Sequence, residues 1–472
     1  MRKRDFETYL HKEKGSPAEE AGIVLRMSLP AILAQFTSIA MQYIDAGMVG
    51  SLGANATAAI GLVVSSTWLI GGSCIGLATG FSVQVAQLTG AQKPEDARNV
   101  FRQSLSVLLL VGLAIALVGM GISRPLPVWL GGNQEILGDA GSYFFIYSCS
   151  IPFSMMRYLA SGMMQSSGDM KTPGFFSALV CILDVIFNMF FIFPSRTVFT
   201  GPLTLRLPGA GLSVAGAALG TALSEVVISL VMLYVLCFHN KKLNLKLRGS
   251  WRWRRNTLST AAKIAIPISF DQIFMCSAYI VATKIVAGIG TVAVASNSLA
   301  IIAESLCYMH GYGIGVAATT IIGQTIGAKR KDLTRSFSRV IVLLGMVFMG
   351  LMGIFMYIAA PLVFSLLTSD PRVAELGAGV LRMELIAEPF YGASICCSGV
   401  FRGAGDTLVP SLMNLLSMWG VRIILAFFLV PSMGLYGYWL AMTIELYFRG
   451  IIFLIRLLRG RWLQRSVIVS MS

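Results

Sequence analysis

SGMMQSSGDMKTP, residues 161–173, returns 237 positions later as SGVFRGAGDTLVP, residues 398–410. Ser161, Gly162, Gly168, Asp169 and Pro173 pair with Ser398, Gly399, Gly405, Asp406 and Pro410. The same shift, without a gap, pairs Pro30 and Gln35 with Pro267 and Gln272, and Gly53 with Gly290. It also pairs Gln87 and Gly90 with Gln324 and Gly327, Arg98 and Arg102 with Arg335 and Arg339, and Pro194 with Pro431. One register held over so much chain is an internal duplication, and a duplication dictates architecture before any local reading does. After Pro194 the first copy inserts SRTVFTGPLTLRLPGAG, which the second shortens to SMG.

The solvent around the two copies follows from composition. Of 472 residues 56% are hydrophobic and 12% charged, with mean hydropathy +0.74. A soluble chain carries about a quarter charged residues, so the apolar surface here faces lipid. The net charge of +15 does not point to nucleic acid, because the basic residues gather in short segments between apolar runs. Long crossings in lipid must be helical, since an open sheet would leave backbone groups unpaired.

Runs long enough to cross about 30 Å of hydrocarbon fall at 22–48, 57–89, 103–124, 139–166, 173–194 and 211–238. Six more fall at 258–287, 294–326, 337–360, 375–402, 410–431 and 435–458. The expected fold is therefore an all-α membrane protein of about 12 transmembrane helices in two six-helix bundles. Its organisation reads as a tail 1–21, a first bundle 22–238, a basic linker 239–257, a second bundle 258–458 and a tail 459–472. Six crossings per copy is an even number, so both copies insert with the same orientation, as in transporters built from parallel repeats.

Loop charge sets the expected orientation. Arg2, Lys3, Arg4, Lys12 and Lys14, then Lys93, Arg98 and Arg102, Lys171, the run KKLNLKLRGSWRWRR, and Lys329, Arg330, Lys331 and Arg335 lie on alternate loops. Loops of the other parity are nearly bare, which places both termini in the cytoplasm. The start is too charged for a signal peptide. It reads as a solvated tail, with Phe6, Tyr9 and Leu10 able to form a short interfacial helix. All eight cysteines fall in apolar segments, where they read as small buried hydrophobes, and no metal-ligand spacing with histidine occurs.

With these features in place the chain resembles the multidrug and toxic compound extrusion family. The resemblance rests on SLPAILAQFTSIAMQYIDAGMVGSLG in the first span, GIGVAATTIIGQTIGA in the eighth, the paired SGMMQSSGDMKTP and SGVFRGAGDT loops, and WGVRI at 419–423. It spans residues 22 to 458. It implies a proton- or sodium-driven antiporter exporting amphipathic, often cationic compounds, with two lobes around a central cleft. In that family an acid on the first span and polar groups on the fifth are tied to cation coupling.

A charge at mid-bilayer costs at least about 2.5–3.5 kcal/mol and needs a partner, a wet cavity or a task. On the first span Gln35, Ser38, Gln42 and Asp45 form one helical stripe; on the fifth, Ser177, Cys181, Asp184 and Asn188 form another. Two carboxylates sharing such a pocket can take up and release a proton. Asp45, Asp184, Asn188 and Gln42 are the expected ion-coupling residues, with H+ favoured over Na+; the bland alternative pairs the acids with Arg157. The repeat places Ala282 opposite Asp45. Asp271, Glu304, Glu388, His310 and Tyr391 are candidates for a substrate or second ion site, against pairing with Lys284, Arg382 or Arg422. Glu384 stands one turn before Glu388. Asp169 and Asp406, with Gly168 and Gly405, are expected to organise loops and cap the following helices. Glu225 and Glu445 read as structural.

No nucleophile sits beside a base at a recognisable spacing, so no catalytic residue, metal or cofactor is expected, and the chain does not read as an enzyme. The expected partners are small organic cations or amphiphiles and membrane lipid, the expected location the cytoplasmic membrane, and the expected state a monomer. A flippase for a lipid-linked precursor is the alternative, and a channel a distant third.

Overall fold

The computed structural model describes residues 6–10, 16–200, 203–245 and 249–464. The expectations for Arg2, Lys3, Arg4, Lys12, Lys14, Lys246, Arg248 and the tail beyond Gln464 lie outside the described residues.

The first half comprises α1 (Phe6–Leu10), α2 (Pro17–Gly50), α3 (Ala54–Gly90), α4 (Pro94–Ile122), α5 (Pro125–Trp129), α6 (Gln134–Ser166) and α7 (Lys171–Phe191). The insertion after Pro194 folds as an antiparallel hairpin, β1 (Pro194–Thr200) and β2 (Leu203–Ala210), before α8 (Ser213–Phe238). The second half comprises α9 (Arg255–Ala287), α10 (Thr291–Gly327), α11 (Lys331–Leu367), α12 (Pro371–Leu385), α13 (Glu388–Ala404), α14 (Leu408–Ser417), α15 (Ile424–Met433) and α16 (Leu435–Arg459).

Among the described residues nine helices are long and apolar enough to cross a membrane by length and composition. The three further long elements are α6, α12 with α13, and α16. Of these, α12 and α13 are individually short, at 15 and 17 residues, and the three elements carry the ionic side chains Arg157, Glu384, Glu388, Glu445 and Arg449. With them the chain has the twelve expected helices, six per repeat. Apolar side chains point outward, as lipid demands: Leu366, Phe428, Ile358 and Leu458 are all more than 70% exposed.

Two expected continuous helices are interrupted. The run at 375–402 breaks between Leu385 and Glu388, just ahead of Pro389, whose missing N–H and ring weaken the helix at the Leu385 carbonyl without by themselves forcing a break. The run at 410–431 widens into a π-helical turn over Met418–Ile423, a local expansion that is often found at functional sites. At the N-terminus Phe6 and Tyr9 each pack edge-on against Phe337 at 5.6 Å. Tyr9 and Leu10 are buried rather than solvated.

The residues divide into two compact units: 36–85 with 94–258, and 1–35 with 86–93 and 259–472. In the second of these, α3 and α10 meet through reciprocal close approaches. A Cβ on Gly90 would overlap the backbone of Gln324, and one on Gly327 would overlap the backbone of Gln87. Gln87 and Gly90 are the repeat counterparts of Gln324 and Gly327, so the contact is made twice by equivalent residues. Gly168 and Gly405 close α6 and α13 with φ of 95° and 84°, a left-handed backbone that glycine adopts without strain.

Candidate functional site

In the unit formed by 36–85 and 94–258, α2 delivers Asp45 and α7 delivers Asp184 and Asn188. The latter two are four residues apart and share one helical face. Asn188 Nδ2 donates to Asp45 Oδ1 at 2.8 Å and to Asp184 Oδ2 at 2.9 Å. Asp184 and Asn188 are fully buried. Asp184 Oδ1 and Asn188 Oδ1 are buried as well and accept no hydrogen bond. Buried acceptors are normally satisfied, so a carboxamide joining two carboxylates with spare oxygens is a place for a proton or a small cation.

Helix α8 closes the site from one side. A Cβ on Gly220 would collide with Asn188 Oδ1 and stand 3.0 Å from its Cγ, so only glycine lets α8 approach this closely. Beside Asp184, Thr221 belongs to the wall of a cavity of about 80 Å³ shared with Cys74, Tyr143, Tyr147 and Glu225. Such a polar cavity has room for a few water molecules. Arg157, the alternative partner for these acids, is engaged elsewhere: its Nε lies 2.6 Å from Glu225 Oε2. Gln42 is exposed on α2 and makes none of these contacts.

The other unit holds its polar groups differently. Asp271 Oδ2 on α9 accepts from Asn414 Nδ2 on α14 at 3.0 Å, while its Oδ1 is buried without a partner. Asp271 lines a pocket of about 200 Å³ with Tyr279, Tyr312, Tyr391, Arg402 and Arg449. Glu304 lines a neighbouring pocket of about 70 Å³ together with Ala282, Tyr391, Arg422 and Arg449. Glu384 and Glu388 flank the break between α12 and α13, fully buried, and none of their four carboxyl oxygens has a hydrogen-bond partner. His310 is half-buried on α10, Nδ1 3.3 Å from the Cys307 carbonyl oxygen, and it lines neither pocket.

Among the described residues none of the expected cations forms a direct ion pair with these acids. Lys284 is exposed, and Arg382 Nε donates to the Tyr357 carbonyl at 3.0 Å. Arg422 and Arg449 both bind Glu445, at 2.7 and 2.6 Å, and Ser417 Oγ donates to the same carboxylate. This buried trio was not expected as a unit, although Glu445 and Arg449 at i, i+4 carried the signal. Asp169 Oδ1 accepts from the amides of Lys171 and Thr172 at 3.1 Å each, at the start of α7. Asp406 binds Arg456 of α16. Among the described residues no group of histidine, cysteine and acidic side chains is placed to hold a metal, and all eight cysteines are free.

A protein-family model described as MatE matches residues 30–190 and 267–428, together more than half of the chain and one segment in each repeat. The chain belongs to the MatE family. It is 25% identical over 471 residues to a probable multidrug resistance protein NorM of Thermotoga maritima, covering 99% of this chain and 98% of that one. It is 28% identical over 459 residues to a probable multidrug resistance protein NorM of Idiomarina loihiensis, covering 92% and 93%. Among solved structures it is similar to the outward-facing form of a multidrug resistance MATE family transporter, at TM-score 0.86 and 20% identity, covering 98% and 100%. It is likewise similar to the Vibrio cholerae MATE transporter VcmN in the bent form, at TM-score 0.83 and 20% identity, covering 96% and 98%. The twelve-helix MATE fold with two repeats thus accounts for nearly the whole chain.

Proposed function

We propose that this MATE transporter exports amphipathic or cationic organic compounds across the cytoplasmic membrane in exchange for protons, by alternating access of its two six-helix repeats. The observation that carries the reading is the Asp45–Asn188–Asp184 constellation. It holds two buried or partly buried acids, with no ion pair to either among the described residues, in one repeat only. A proton taken up by this pair changes its charge, and a change of charge inside a low-dielectric bundle is large enough to bias one conformation over another. Protons are favoured over sodium because two neighbouring carboxylates in a buried site favour uptake of a proton by one of them. The NorM relatives, described as multidrug resistance proteins, support export as the direction. Basic loops on one side favour cytoplasmic termini.

The experiment is export of fluorescent organic cations from liposomes containing the purified protein, under an imposed pH gradient or an imposed sodium gradient. The proposal expects movement with the pH gradient and its loss in Asp45→Asn. A monovalent cation exchanged for one proton moves no net charge. Voltage should then matter little, whereas a neutral substrate would feel about 2.3 kcal/mol per 100 mV. Absence of movement under either gradient would overturn the proposal.

A further inference from the structure

We infer that the groove on the outer face of α6, between the end of α4 and the start of α8, binds an anionic phospholipid. Arg124 takes the phosphate, and one acyl chain runs along α6. The site is separate from the export pathway proposed above.

The faces of α6 decide what the groove meets. Tyr143, Tyr147 and Tyr158 line the polar cavity beside Glu225. Ser142, Phe145 and Ile146 fall on the opposite side of the helix by its periodicity, and they line a second cavity of about 860 Å³. All of that lining belongs to one compact unit. Gly121, Gly138, Ser142 and Phe145 are exposed, so this groove opens outward. Leu117 and Val118, one turn before Gly121 on α4, are 66% and 63% exposed, which marks the surface around it as lipid-facing. The volume falls within the about 300–1,000 Å³ of small-molecule sites.

Polarity is graded along the groove. From Leu137 to Ile146 the α6 wall extends about 13 Å, and Met120 and Phe145 make it apolar. Arg124 stands beyond the last turn of α4, at the level of head groups, and lines the same groove. Helix α4 begins beside the basic residues Lys93 and Arg98, so its far end lies with the loops that carry almost no charge. Arg124 makes no ion pair with a described carboxylate. Of the acids early in α6, Glu135 accepts from Asn55 at 3.3 Å, and Asp139 lies outside the lining. A guanidinium without an acid partner at a lipid surface is shaped for a phosphate, and basic pockets between membrane helices suit anionic head groups.

The second repeat supplies the control. Met120 corresponds to Tyr357, Ser142 to Gly379 and Phe145 to Arg382. There the protein fills the space with its own side chains: the Arg382 guanidinium lies 5.2 Å from the Tyr357 ring centre and its Nε donates to the Tyr357 carbonyl. Tyr436 packs so closely on Gly379 that a Cβ would strike its hydroxyl. Arg124 itself corresponds to Pro361. The fold therefore closes this place where nothing binds, and the first repeat leaves it open with a cation at its mouth.

The test is native mass spectrometry of the purified full chain, titrated in detergent with dioleoylphosphatidylglycerol, dioleoylphosphatidylcholine and glycerol phosphate. Wild type is expected to hold the anionic lipid about fivefold more tightly than the zwitterionic one, and glycerol phosphate not at all. Arg124→Gln, at an exposed position, should make the two lipids equal. Ser142→Trp fills the groove and should weaken both. Arg372→Gln removes an exposed arginine on the same side that is already paired with Asp370 at 3.2 Å, and should leave the preference intact. No preference in wild type, or one reduced equally by Arg124→Gln and Arg372→Gln, would overturn the inference. Glycerol phosphate binding as tight as the lipid would assign Arg124 to a free phosphate instead. A wild-type dimer that Ser142→Trp converts to monomer would give the groove to a second copy of the chain.

Discussion

Asn414 Nδ2 lies 3.0 Å from Asp271 Oδ2 across 143 residues of chain, the separation that also relates Asn188 to Asp45. Each pair links the first and fifth spans of its repeat, yet the pairs are not counterparts. Asp45 corresponds to Ala282, eleven residues beyond Asp271, and Asn188 to Leu425, eleven beyond Asn414. Eleven residues are three helical turns, about 16.5 Å of axis, so the face is kept and the depth is changed. The two repeats carry the same carboxylate–carboxamide device at different levels.

Those two levels can be separated by substitution. Asn188→Leu leaves Asp45 and Asp184 without their shared donor and should abolish export driven by a pH gradient. Asn414→Leu touches only Asp271 and should leave that coupling in place. Each loses a buried hydrogen bond worth about 1–3 kcal/mol when its partner is orphaned, so thermal unfolding should shift by a comparable amount in both. Coupling lost in Asn414→Leu and kept in Asn188→Leu would reverse the assignment.

Gly220→Ala tests the closure of the first site without altering any polar group. The added methyl meets the Asn188 side chain and stands 3.0 Å from its backbone nitrogen, and overpacking of this kind costs about 1–3 kcal/mol. Gradient-driven export should fall with the protein still folded, as read by dye export alongside thermal unfolding. Gly121→Ala, where a Cβ meets nothing within 4 Å, should change neither.

Glu445→Gln removes the carboxylate that two guanidiniums share. An uncompensated buried charge is destabilising by about 3–5 kcal/mol, so this variant should show a large drop in unfolding temperature or fail to accumulate. Glu225→Gln leaves only Arg157 exposed to the same penalty and should be milder. Unfolding temperatures for both, compared with wild type, check the order.

Asp370 gives a prediction in pH. Its Oδ1 caps α12 through the Arg372 amide at 2.9 Å, and the Arg372 side chain and amide together hold its carboxyl below the usual carboxylate range. A depressed folded pKa contributes stability above the unfolded value of about 4, and that contribution disappears as pH falls through the folded value. Asp370→Ala should therefore unfold slightly earlier than wild type at pH 7, and the two should converge at low pH. A gap that stays constant down to acid would remove the ionised cap from the account.

The twelve helices were legible because lipid enforces long apolar runs, and the pairing of halves was legible because one register recurs without gaps. The break at Leu385 was not. Pro389 and Pro152 are repeat counterparts, yet α6 runs unbroken through Pro152 while the second copy breaks. What differs is the company: Glu384 and Glu388 replace Tyr147 and Ile151, and only packing decides which proline opens its helix. The stripes on the first and fifth spans did point to Asp45, Asp184 and Asn188, because helical periodicity is local. Gln42 shared that stripe and stayed exposed, since periodicity names a face and not a neighbour. Arg449 escaped notice for the same reason: its role lies in sharing Glu445 with Arg422 of another helix.

The reciprocal approach of Gly90 to Gln324 and of Gly327 to Gln87 bears on ancestry. Before duplication a six-helix chain would have made this contact with a second copy of itself, across a two-fold axis, using one glycine and one glutamine twice. Any side chain gained at that glycine would have struck both halves of the dimer at once. Fusion into one chain frees the two positions to vary separately, and both are still glycine. The crossing has outlived the symmetry that Asp45 and Ala282 have since abandoned.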